Sequence, residues 1–262
     1  MTDEEKFRFD LQGFLVVGGI LSPEQCEALS RQADEQWPRS SDDGLFRRTA
    51  DISRWGPNFL NLMDHPRILP YLFELIGPGV RADHDYCIFM QQGAEGQNLH
   101  GGPMLHETDH WYHYQDGVIR NGLTVVTWAL TDANPGEGGF TCLPGSHKTN
   151  FLKHFPKDVA SHQRVPDFVH QPTLRAGDVL IFTEALIHGT ATWRAATERR
   201  ALLYKYSPPH SSWAKVPYSP DAYPSASEQQ RRLMQPPSVA GHLGTLDEGL
   251  SKDQDVPCSQ RG

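Results

Sequence analysis

The chain has 262 residues, 38% of them hydrophobic, and a formal charge of -8 from 32 acidic against 24 basic side chains. That length supports one substantial core, and without a Lys/Arg run of the kind that neutralises a phosphate backbone, a nucleic-acid polymer is excluded as a partner. Cys26, Cys87, Cys142 and Cys258 stand far apart with no CxxC pair, no segment has the apolar length of a membrane span, and the opening MTDEEKFRFD is too acidic for a secretory signal, so a cytoplasmic, monomeric or homodimeric protein is expected.

The N-terminal part reads as helical with one short strand at Gly13–Val17. Ser22-Pro23-Glu24-Gln25 then combines a capping serine, a proline in the first turn and a glutamine at the reciprocal capping position, which predicts a helix to about Gln36. A second helix is predicted from near Pro66 to Ile76, stopped by Gly77-Pro78-Gly79. From Val80 onward the texture changes to short runs rich in Val, Ile, Thr, Phe and Tyr between Gly, Pro and Asp turns. These predict strands at Tyr86–Gln91, Gly122–Thr131, Gly139–Leu143, Gln171–Arg175, Val179–Thr183 and Arg199–Ser207. The fold class expected is mainly β with flanking helices, an antiparallel double sheet or jelly roll. One domain is expected over residues 1–207. Residues 208–262, which hold eight of the chain's 20 prolines and a short helix-compatible piece at Ser225–Met234, read as an extended wrap and not a separate domain.

Among the thirteen histidines, position discriminates. His100 sits at a glycine turn just past an extended run, and His188 closes the run that begins at Val179. The mouth of a jelly roll brings such distant strands together. Arg199 opens a strand whose alternate residues Ala201 and Leu203 share its face, and an arginine pointing into a barrel demands an anion, with a planar fork suited to a carboxylate. Arg200 faces the other way and takes over if the register is shifted by one residue.

Thr127-Trp128-Ala129-Leu130-Thr131-Asp132, Gly138-Gly139-Phe140, Pro144-Gly145-Ser146-His147, His188-Gly189 and Arg199, in that order and spacing, resemble the phytanoyl-CoA dioxygenase superfamily of iron(II)- and 2-oxoglutarate-dependent oxygenases. The resemblance spans roughly Phe7 to Ser207. It implies a cupin-like double-stranded β-helix, with iron(II), 2-oxoglutarate and oxygen as cofactor, cosubstrate and oxidant. Carried over by position, His100 and His188 become metal ligands, Arg199 pairs with the far carboxylate of 2-oxoglutarate, and Trp128 and Met90 line the cosubstrate site. His147 in its Pro-Gly corner reads as architecture.

The chain departs from that family where most members carry His-x-Asp, for it has His100-Gly101-Gly102, and no His-x-Asp or His-x-Glu occurs anywhere. One reading is a glycine turn with the carboxylate supplied from elsewhere, by Glu107, Asp109 or Glu184. Four extended residues would set the Cα of Glu184 about 13 Å from that of His188, too far to share one ion without a bulge. The preferred reading makes Gly102 itself functional. A missing aspartate opens a coordination position and removes a negative charge, both of which a chloride ion restores, and this resembles the His-x-Gly signature of nonhaem iron halogenases. The expected reaction is then chlorination of an unactivated C–H bond in a small soluble metabolite. The alternatives are a hydroxylase or desaturase with an unconventional iron site, or a non-catalytic cupin-like binding protein.

The segment His106–Tyr114 is dense in polar aromatics, and as a lid it would offer His106, His110, Trp111 and Tyr112 to a substrate, with Phe89, Gln91, Gln92 and Asn121 contributing to the same pocket. Histidine donors there suit phosphate or carboxylate, which makes a nucleotide-like molecule one candidate.

Overall fold

Short runs of residues buried on both faces build two antiparallel sheets, seen in a computed structural model that describes residues 1–103 and 109–240. The N-terminal elements are helix α1 (Asp3–Gln12), strand β1 (Phe14–Val17), α2 (Pro23–Gln36), β2 (Phe46–Ala50), the single turn α3 (Pro57–Leu60) and α4 (Leu69–Ile76). Then come β3 (Arg81–Met90), β4 (Gln97–His100), β5 (Tyr112–Gln115), β6 (Val118–Asn121), β7 (Thr124–Ala129) and β8 (Gly139–Cys142). After the turn α5 (Lys157–Ala160) follow β9 (Val179–Thr183), β10 (His188–Ala191), β11 (Arg199–Ser207) and α6 (Glu228–Leu233).

The larger sheet has the order β1-β9-β7-β11-β3-β2, the smaller β4-β10-β8, and β5 and β6 form a separate hairpin. Tyr86, Ile88 and Met90 of β3 with Ala201 and Leu203 of β11 point between the sheets, against Phe140 and Cys142 of β8. Their neighbours Cys87, Phe89, Leu202, Tyr204 and Tyr206 point the opposite way, into a core shared with α2 and α4. This jelly roll, helices on one outer face, is the expected class.

Local chemistry sets the boundaries. The Ser22 hydroxyl accepts from the Gln25 backbone and the Gln25 side chain returns to the Ser22 N–H, so α2 starts where the capping pattern predicts and ends at Gln36. The helix expected from Pro66 begins at Leu69 instead, with Pro70 in its first turn. Four residues further into a helix, that proline would delete a backbone bond. Gln171–Arg175 is no strand and makes only a bridge from Leu174 to Ala133. Strands β2, β4, β5, β6 and β10 went unforeseen because each is short and lacks a clean apolar alternation.

The stretch from Pro208 to residue 240 is packed as a wrap. Arg81 on β3 donates to the carbonyls of Ser211 and Gln235, and the Asp83 carboxylate accepts from the Trp213 and Ala214 N–H groups, both at 2.9 Å. Asp85 accepts from the Tyr218 hydroxyl, and Tyr223, Leu233 and Met234 are buried in the helix-side core. Among the described residues no helix is long and apolar enough to cross a membrane.

Candidate metal and cosubstrate site

His100 and His188 stand directly opposite one another where β4 pairs with β10. Their ring centroids are 4.5 Å apart and their planes inclined by 54°. Each Nδ1 lies against a backbone carbonyl two residues earlier, His100 on Asn98 at 2.7 Å and His188 on Leu186 at 2.8 Å. A carbonyl can only accept, so both Nδ1 atoms carry the proton and both Nε2 atoms keep a free lone pair, the tautomer a metal ligand needs. Burial lowers the His188 pKa to about 4 against the opposing pull of Glu184, keeping that ring neutral at physiological pH. Two imidazoles held at right angles on one ion through Nε2, at about 2.1 Å each, have centroids close to the spacing found here. The pair therefore fits a divalent metal.

Arg199 opens β11 opposite Met90, and its guanidinium is buried. Its Nη1 lies 3.8 Å from the Met90 sulfur, and among the described residues no acidic side chain forms an ion pair with it. Burial pulls its pKa down to about 10. A buried cation without a counter-charge is unfavourable by several kcal/mol, so this one is set to receive an anion. Thr127 on β7 presents a buried hydroxyl without a hydrogen-bond partner among the described residues. Both face one small pocket whose walls include His100, His188, Tyr86, Gln97, Phe140, Phe182 and Lys205. A guanidinium without an ion-pair partner and an unpartnered hydroxyl, both beside a histidine pair, would suit the far carboxylate of a keto acid.

Glu184 is where the extended-strand expectation fails. Strand β9 ends at Thr183, and residues 184–187 form a tight turn closed by the Leu186 N–H on the Thr183 carbonyl at 2.9 Å. The turn folds the Glu184 side chain back over the histidines, with Oε2 at 3.7 Å from His188 Nε2 and 3.9 Å from His110 Nε2, while Oε1 accepts from Lys205 Nζ at 2.5 Å. Burial raises the pKa of this carboxyl, but Lys205, His188 and His110 together prevail and hold it at about 2, so it is ionised. Among the described residues no three His, Cys, Asp or Glu side chains converge tightly enough to hold an ion as they stand.

The other expected residues are scattered. Met90 touches the guanidinium of Arg199, but Trp128 points to the opposite face of β7, its ring 5.3 Å from His65; its neighbour Thr127 takes the pocket position. Phe89 packs on Trp37 in the helix-side core, and Gln91 and Gln92 lie beyond β3, Gln92 donating to the Arg194 carbonyl. Tyr112 donates to Asp10 on α1 and packs edge-on to His147, far from a lid role; Asn121 is buried opposite it on β6. Trp111 stacks on His113, whereas His110 stacks on Trp213 of the wrap and reaches Glu184. His106 and Glu107 lie outside the described residues. Asp109 is buried beside Ser211 and His210 of the wrap. Arg200 faces α2, paired with Asp34 and Glu198.

Sequence reasoning passed over Thr127, Tyr86, Gln97, Lys205 and Trp213. Lys205 could have been found, since it shares the parity of Arg199, Ala201 and Leu203 on one strand face. Trp213 carried no local signal, for only the anchoring of the wrap brings it to His110.

Residues 9–201 match the model of the phytanoyl-CoA dioxygenase (PhyH) family. The chain is 24% identical over 219 residues to an ectoine dioxygenase of Nocardia farcinica, covering 72% of each chain, and 24% identical over 221 residues to the multifunctional dioxygenase prhA of Penicillium brasilianum, covering 77% of this chain and 70% of that one. Its fold is similar to that of HygX from Streptomyces hygroscopicus, solved with nickel, 2-oxoglutarate and hygromycin B bound, at a TM-score of 0.73 and 23% identity over 82% of this chain and 91% of HygX.

Proposed function

The chain belongs to the phytanoyl-CoA dioxygenase family of iron(II)- and 2-oxoglutarate-dependent oxygenases, and from that premise we propose that it inserts oxygen at an unactivated C–H bond of a small polar metabolite. The observation that carries this reading is Arg199, a buried guanidinium with no acidic ion-pair partner among the described residues, in the pocket that also holds the paired histidines. When bound, iron(II) would let oxygen act as the oxidant for C–H cleavage, with 2-oxoglutarate giving two electrons and leaving as succinate and carbon dioxide, one oxygen atom going to succinate and the other to the product. His100 and His188 hold the metal through their Nε2 atoms, Arg199 and the Thr127 hydroxyl grip the far carboxylate, and Phe140 and Phe182 keep water from the His188 side. Relatives named for ectoine and a neighbour that binds hygromycin B support a polar substrate.

Halogenation is the second reading, and Gly102 is the observation behind it. Its φ is +100°, and a Cβ there would lie 2.6 Å from Leu152 Cδ2 and 3.4 Å from Ile187 Cγ1. The positive φ strains any side chain here, and the Leu152 methyl would also have to shift, so glycine has a backbone reason that needs no halide. Chloride is therefore left without structural support, and oxygen insertion is favoured over it.

The test is anaerobic reconstitution with iron(II) and 2-oxoglutarate, a panel of polar metabolites, then oxygen in chloride or bromide buffer. Substrate-dependent succinate release with an oxygen-bearing product in both buffers is expected. A product whose mass follows the halide would establish the halogenase instead, and 2-oxoglutarate binding without substrate-dependent succinate would make the protein a non-catalytic binder.

A further inference from the structure

We infer that Glu184 is the third protein ligand of the metal, so that the iron site reads His100, Glu184, His188 in place of the family's His-x-Asp and distant histidine. The inference rests on the assignment of His100 and His188 to the metal.

Three observations lead there. First, Glu184 Oε2 is 3.7 Å from His188 Nε2. Two donors at right angles on an ion, each at about 2.1 Å, are roughly 3 Å apart, so a small side-chain rotation closes the gap. Second, among the described residues the acidic side chain at ion-pair distance from His188 is Glu184, whereas Asp109 lies beside Ser211 and His210 of the wrap. Third, Gly101, which lies between His100 and the position of the family's aspartate, makes room for this turn. A Cβ on Gly101 would lie 2.7 Å from the Leu186 carbonyl oxygen and 2.9 Å from that of Glu184. Any side chain at 101 would press on the backbone that delivers the glutamate.

Lys205 holds the carboxylate meanwhile. Its Nζ takes Oε1 at 2.5 Å, and it lines the same pocket as the histidines. Lys205 and the metal therefore compete for one acidic group. Were Glu184 to turn Oε2 to the ion, Oε1 would stay within reach of the ammonium, whose charge opposes that of the metal.

Cobalt(II) is the probe, titrated into metal-free protein by calorimetry and by its visible absorption, whose intensity reports the ligand set. Relative to wild type, Glu184→Ala and Glu184→Gln are expected to weaken binding roughly tenfold or more and change the spectrum, as His100→Ala and His188→Ala do. Lys205→Met, with the competitor gone, is expected to tighten it. Wild-type cobalt affinity in both Glu184 variants, with the histidine variants still deficient, overturns the glutamate assignment and leaves the histidine pair standing. Unchanged affinity in the histidine variants overturns the underlying reading. Should Glu184→Ala fail to fold, Glu184→Gln and Lys205→Met decide, and wild-type affinity in both overturns the assignment.

Discussion

Lys205 Nζ and Glu184 Oε1 form a 2.5 Å ion pair in which both side chains are nearly sealed from solvent. Removing one partner of such a pair strands the other charge, at a cost of about 3–5 kcal/mol. Lys205→Met is expected to lower the unfolding free energy of the metal-free protein by that order, and the double variant Lys205→Met/Glu184→Leu to recover much of it. Urea denaturation of the four proteins of the cycle measures the coupling.

Arg199 and Arg200 are adjacent in sequence and opposite in role. Arg199→Met is expected to weaken 2-oxoglutarate binding by about a hundredfold or more, because a charge-assisted carboxylate contact is lost. Arg200→Met is expected to leave that affinity unchanged while loosening α2, whose Asp34 it holds at 2.8 Å. Anaerobic 2-oxoglutarate titration with iron(II), alongside thermal melting, separates the two.

Asp83 ties the wrap to β3, and its carboxyl titrates well below the ordinary value. Burial pushes it upward, but hydrogen bonds from His84 and from the Trp213 and Ala214 N–H groups outweigh burial. A lowered carboxyl contributes stability that is fully present above the unfolded value, about 3.9, and is lost as pH falls toward the folded one. Melting temperature is therefore expected to decline from about pH 5 downward in the wild type. Asp83→Asn should melt lower at neutral pH and show a shallower acid decline. An equally steep decline in the variant would remove Asp83 from the account.

Gly102→Asp is expected to destabilise by about 1–3 kcal/mol through its positive φ and its contact with Leu152. Adding Leu152→Ala should relieve the contact but not the backbone strain. Thermal melts of both variants test this, and a fully stable Gly102→Asp would restore the argument for a vacated ligand position.

Leu233→Ala in the wrap is expected to cost about 2–5 kcal/mol, as much as a truncation inside the barrel, because the side chain is fully buried against the helix-side core. A loss under about 1 kcal/mol by urea denaturation would show the wrap to be peripheral.

The strand texture from Val80 onward was enough to read the β-rich class, and the separated motifs placed His100, His188 and Arg199 at one mouth, because those features are local or ordered along the chain. Glu184, a candidate carboxylate in the sequence, reads as out of reach of His188 there for a physical reason. The apolar run Val179–His188 looks like one strand, yet Thr183 ends it with a side-chain bond to the Ala185 N–H, a turn that no hydrophobic periodicity records. Trp128 for Thr127 was an error of parity, since adjacent residues of β7 face opposite cores. Trp213 and Asp83 act through contacts about 100 residues or more apart in sequence, which single-chain patterns do not encode.

Strand β11 carries Arg199, Leu203 and Lys205 inward and Arg200, Leu202 and Tyr204 outward. Anion receptor and glutamate clamp are thus marks on a single ruler, graduated in steps of two residues. Insertion of one residue between them would turn the marks beyond it to the wrong side. The reach of this pocket can therefore be retuned only in pairs of residues along that strand, or from the loops that close over it.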